Sequence, residues 1–88
     1  MKQFENLPQR LVQVITEKEK ELGFTTLEVM QDKEGNAYLL AKRAVDGTYI
    51  VWSAYNTGDD LTAYTGLYSG AYDLSLEEGI AEMKRRAS

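Results

Sequence analysis

The sequence predicts an α+β fold in two layers: an antiparallel meander of three to four strands, with two helices on one face, in the order α-β-β-β-β-α. Three observations carry this expectation. Leu7, Leu11, Val14, Ile15 and Leu22 recur at the spacing of one helix face, and Leu76, Ile80, Met83 and Ala87 repeat the pattern near the C-terminal end. Between these stripes lie runs rich in β-branched and aromatic residues, separated by turn chemistry. Covering one sheet face with both stripes would bury them in a single interface.

The first helix is expected over 6–22. The Asn6 side chain can cap the free N–H groups of its first turn, and Pro8 falls where a missing N–H costs least. Glu17–Glu21 reads as a solvated turn, and Gly23 as the left-handed residue that closes the helix. A first strand follows over 24–31, with Leu27 and Val29 on one face and Thr26 and Glu28 on the other. Residues 32–36, DKEGN, are a turn. The second strand spans 37–45, with Tyr38 and Leu40 opposite Leu39 and Ala41. Asp46-Gly47 signals a two-residue type I′ hairpin. The third strand, 48–55, is apolar on both faces and therefore central in the sheet.

Residues 61–74 contain a quasi-repeat: AYTG, LYSG, AYDL. Two glycines and several β-formers disfavour a helix there, so a fourth strand is expected within 64–72, bent or bulged at a glycine. If extended, it places Tyr64, Tyr68 and Tyr72 on one face as an aromatic ladder. The last helix follows Ser75, whose capping box with Glu78 marks its start. Lys84, Arg85 and Arg86 suit its C-terminal dipole. Gly79 costs such a helix about 1 kcal/mol relative to alanine, which points to close packing on another backbone.

Composition limits the function. The 88 residues suit one domain spanning 1–88, and 43% hydrophobic content suits a folded core. With no histidine and no cysteine, disulfides, zinc–thiolate sites and His- or Cys-based catalysis are excluded. No nucleotide-binding glycine loop is present, and no cofactor is expected. Ser, Tyr, Lys or carboxylate chemistry remains open, with no residue nominated for it. Asp59-Asp60 is read as a solvated turn that lacks the spacing of a calcium loop. Net charge −4 argues against nucleic acid and against anionic membranes. The opening MKQFENLPQR has no apolar signal region, so a cytoplasmic location is expected.

Six tyrosines then become the main functional clue, because Tyr combines rigid apolar area with a polar tip. The expected function is a non-enzymatic protein-binding module. Its candidate surface is Tyr64, Tyr68, Tyr72, Asp59 and Asp60. The competing reading packs the same rings on the core. Two alternatives stand beside it. One is an acidic inhibitor imitating nucleic acid through Glu17, Glu19, Glu21, Asp59, Asp60, Glu77 and Glu78. The other is a homodimer joined through an exposed edge strand.

The order helix, three strands, helix resembles the double-stranded-RNA-binding domain. Where that family carries its basic cluster, this chain reads Ser75-Leu76-Glu77-Glu78, so the resemblance does not extend to function. Residues 70–80, GAYDLSLEEGI, look like the strand-to-helix ending of small domains from bacteriophages and other mobile elements. That resemblance implies an accessory protein, such as a counter-defence inhibitor of the anti-CRISPR kind acting by protein binding.

Overall fold

The computed structural model describes residues 7–57 and 64–88. The element order is α1 (Gln9–Leu22), β1 (Phe24–Gln31), β2 (Ala37–Arg43), β3 (Tyr49–Ala54), β4 (Tyr68–Leu74) and α2 (Leu76–Ala87). The strands form one antiparallel sheet in the order β1-β2-β3-β4. The α+β architecture is therefore the expected one, with β2 and β3 central.

Local chemistry sets the helix ends. Pro8 is extended (φ −55°, ψ 139°) and serves as the N-cap without a side-chain bond, so α1 begins at Gln9. The cap assigned to Asn6 lies outside the described residues. Gly23 adopts φ 74°, ψ 51°, and its N–H donates to Glu19 O at 3.0 Å, which closes α1 as expected. At α2, Ser75 Oγ accepts from Glu78 N (3.1 Å) while Glu78 Oε1 accepts from Ser75 N (2.8 Å), completing the capping box.

The helices lie on opposite faces of the sheet, which corrects the expected one-sided layout. In β2, Ala37, Leu39 and Ala41 point one way and Tyr38 and Leu40 the other. Leu11, Val14 and Ile15 of α1 pack with Ala37, Leu39 and Ala54. Met83 and Ile80 of α2 pack with Tyr38, Leu40 and Val51. Central strands apolar on both sides need cover on both sides, and each helix supplies one. Arg86 strengthens the second layer by donating to Ser53 Oγ on β3 at 3.0 Å.

Gly79 is buried against this layer. A Cβ there would stand 2.6 Å from Leu40 Cδ1, so the close neighbour is a side chain on the sheet rather than a backbone. Two further expectations change. The β1–β2 register skips Leu27 between Thr26 and Glu28, so a bulge interrupts the alternation. Thr26 is consequently buried and Leu27 exposed. The β2–β3 loop is longer than a two-residue turn: Arg43 N bonds Thr48 O (2.8 Å) and Gly47 N bonds Arg43 O (2.9 Å). Gly47 takes positive φ whereas Asp46 does not.

Among the described residues, no helix is long and apolar enough to cross a membrane.

Candidate functional site

The expected tyrosine ladder resolves into different roles. Tyr64 precedes β4 and is only 3% exposed, packed in the cluster with Leu11, Ile15, Leu39 and Ala54. Its hydroxyl donates to Gly35 O at 2.6 Å and its N–H to Tyr55 O at 3.1 Å. Burial pushes its phenol above the ordinary tyrosine value. Tyr64 also holds φ 56°, a rare conformation for a bulky residue. It is thus a core residue, and its assignment to a surface face is corrected. Asp59 and Asp60 lie outside the described residues.

Within β4 the simple alternation fails because the strand is bulged twice. Tyr68 faces Ser53, Ala71 faces Val51 and Leu74 faces Tyr49, so three residues of β4 advance for every two of β3. Ser69 (φ 55°) and Asp73 (φ 59°) are the left-handed residues of these intervals. The sequence predicts a bulge at a glycine, whereas the left-handed positions are Ser69 and Asp73. Gly70 serves another purpose: an added Cβ would meet Tyr72 Cζ at 2.5 Å and Trp52 Nε1 at 2.7 Å. Its missing side chain leaves room for the Tyr72 ring.

The bulges set up two aromatic pairs. Tyr68 (45% exposed) stacks on Tyr55 (41% exposed) with centroids 5.9 Å apart and planes at 29°. Tyr55 Oη lies 3.4 Å from Ser69 Oγ, and Tyr68 Oη lies 2.8 Å from Thr65 Oγ1. Tyr72, 51% exposed, meets Trp52 edge-on at 5.9 Å and accepts a hydrogen bond from Trp52 Nε1 at 3.2 Å. Trp52 is itself buried against Phe24, with centroids at 4.6 Å. Tyr55 joins this surface although the sequence pattern does not single it out. Its signal was its place at the end of the strand that pairs with the aromatic edge.

Charge at the site is internally paired. Arg43 donates to Asp46 through Nε (3.1 Å) and Nη2 (2.9 Å), to Thr48 Oγ1 (3.0 Å), and across to Asp73 Oδ1. Arg43 and the Thr48 N–H and hydroxyl hold the Asp46 carboxyl down at about 2. The hydrogen bonds of Ser69 and Ser53, with the Arg86 charge, lower the Tyr55 phenol.

A second polar cluster builds a turn. Asp32 Oδ1 accepts from the N–H groups of Glu34 (2.9 Å) and Asn36 (3.0 Å), and Oδ2 from Tyr38 Oη (2.8 Å) and Asn36 Nδ2 (3.2 Å). Burial and the Asp32 carboxylate push the Tyr38 phenol up to about 12. These bonds occupy Asp32 in shaping the 32–36 turn. Among the described residues, no group of three or more acidic, histidine or cysteine side chains is placed to hold a metal.

Fold and surface together define a small α+β domain whose last strand is a bulged, tyrosine-bearing edge. No protein-family model, curated protein or solved structure matches the chain.

Proposed function

We propose that the protein is a small non-enzymatic module that binds a protein partner through Tyr55, Tyr68 and Tyr72 beside the β4 edge. The observation behind this reading is that all three rings are about half exposed, yet each is held by a neighbouring aromatic ring and a hydroxyl contact. Ordering a free side chain on binding costs about 0.5–1.5 kcal/mol, and rings already fixed avoid much of that cost. Tyrosine is also among the residue types that dominate binding energy at interfaces.

The two alternatives receive less support. Strand-to-strand dimerisation favours a regular edge, whereas β4 is doubly bulged and the Thr26 N–H of edge strand β1 is taken by Glu19 Oε2 at 2.8 Å. A nucleic-acid mimic needs its carboxylates on one face, whereas Glu17, Glu19 and Glu21 belong to α1 and Glu77 and Glu78 to α2, across the sheet. We place the module among cytoplasmic accessory proteins of phages or mobile elements, such as counter-defence inhibitors, on the likeness of residues 70–80 alone.

The test is parallel affinity capture with the unmodified protein and the Tyr55→Ala/Tyr68→Ala/Tyr72→Ala variant, with cooperative unfolding checked for both. The expected result is a partner recovered by the first and lost by the second. Equal recovery by a folded variant refutes the surface.

A further inference from the structure

Tyr72 sits between two features that the binding reading leaves unexplained: a glycine seat before it and an ion-paired, left-handed aspartate after it. The Gly70 seat admits the ring over Trp52. Asp73 holds φ 59°, a region where Asp is several-fold enriched over most side chains because its short polar group can bond locally. Here its carboxylate instead bonds a residue 30 positions away, Arg43 at the end of β2. The same guanidinium is locked to Asp46 and Thr48 in the β2–β3 loop. The tie therefore joins the second bulge of β4 to a fixed point two strands away.

We propose that the Arg43–Asp73 ion pair is a latch that positions Tyr72 on Trp52 and so sets the shape of the contact surface; this rests on the binding reading above. With Asp73 held, the backbone on the C-terminal side of Tyr72 is fixed in the bulge and the ring falls on the indole edge. With Asp73 released, the bulge loses its tie to Arg43 and Tyr72, already half in solvent, leaves the indole. Arg43 and Asp73 are positioning residues, and Tyr72 is the contact residue. The Asp73 side chain is 74% exposed, so salt screens the latch.

Trp52 is the chain's single tryptophan, and its fluorescence therefore reads this contact without any partner. Acrylamide quenching is measured for the unmodified protein, Tyr72→Ala, Asp73→Asn and Asp73→Gly. Asn tolerates the left-handed backbone and Gly relaxes it, so both variants remove the carboxylate without adding strain. The expected result is increased quenching in all three variants. Raising salt to about 1 M, where the screening length falls to about 3 Å, should increase quenching in the unmodified protein and leave Asp73→Asn unchanged. Quenching that stays at the unmodified level in both Asp73 variants overturns the latch, as does Tyr72→Ala without effect. Partner capture plays no part in this readout, so a failed latch and a failed binding surface are told apart.

Discussion

Replacing Gly79 by alanine tests the packing of α2 on the sheet, because helix propensity and tertiary structure give opposite signs. Alanine in a helix interior is favoured over glycine by about 1 kcal/mol. The new Cβ, however, would stand 2.6 Å from Leu40 Cδ1, and ordinary contact begins at 3.4 Å, so a shift of 0.8 Å is required. Leu40 is buried against Met83 and Val51 and has little room to take that shift alone. Overpacking of this kind costs about 1–3 kcal/mol, which leaves a net loss of about 1 kcal/mol after the propensity gain. For a domain of this length that lowers Tm by about 4–8 °C. Urea unfolding followed by far-UV circular dichroism measures the change. The companion substitution Leu40→Val removes the methyl that the Cβ would meet, and in that background Gly79→Ala should stabilise by about 1 kcal/mol. If Gly79→Ala raises stability by the full propensity gain in the otherwise unmodified protein, the account of why glycine stands there is wrong.

Other substitutions and pH changes probe separate contacts. Gly70→Ala should expel Tyr72 from Trp52, costing about 1–2 kcal/mol for the lost hydrogen bond and ring pair, with altered Trp52 fluorescence as the readout. Tyr64→Phe deletes the hydroxyl that donates to Gly35 O and should lower stability by about 1 kcal/mol in urea unfolding; an unchanged midpoint would show that the bond contributes nothing net. Arg85 and Arg86 hold the Glu82 carboxyl down at about 2, below its unfolded value. Its stabilisation is therefore present above about pH 4.3 and is lost as pH falls towards 2, and Glu82→Gln should flatten the acid limb of the stability profile. Tyr38 behaves in the opposite sense: its phenol is pushed up to about 12 in the fold, so stability should fall as pH rises from about 10 towards 12. Tyr38→Phe should remove that alkaline loss.

The parts of the fold legible in the sequence are those governed by neighbours along the chain. Gly23 closes α1 and Ser75 with Glu78 opens α2, because each motif involves groups within a few residues of one another. The strand order followed from turn chemistry and apolar runs. The candidate site was only partly legible. Tyr68 and Tyr72 do reach the surface, whereas Tyr64, with the same spacing, lies in the core. Tyr64 precedes β4 and so stands outside the ladder that a period-two pattern assumes, and within β4 each bulge shifts every following residue by one place. Ser69 and Asp73, which carry the left-handed backbone, are not residues that advertise a bulge as glycine does.

By itself the sequence determined two amphipathic helices, four strands in their order and the absence of His and Cys chemistry, since these depend on residue type and local spacing. Tertiary structure alone decided that α1 and α2 take opposite faces, that Tyr64 turns inward, and that Tyr55 joins Tyr68 while Tyr72 joins Trp52. The reason is that Leu39 and Leu40, adjacent in the chain, point to opposite sides of a central strand and each needs apolar cover. Which helix covers which side, and where the edge strand slips, are set by contacts between residues far apart in sequence, which no local pattern encodes.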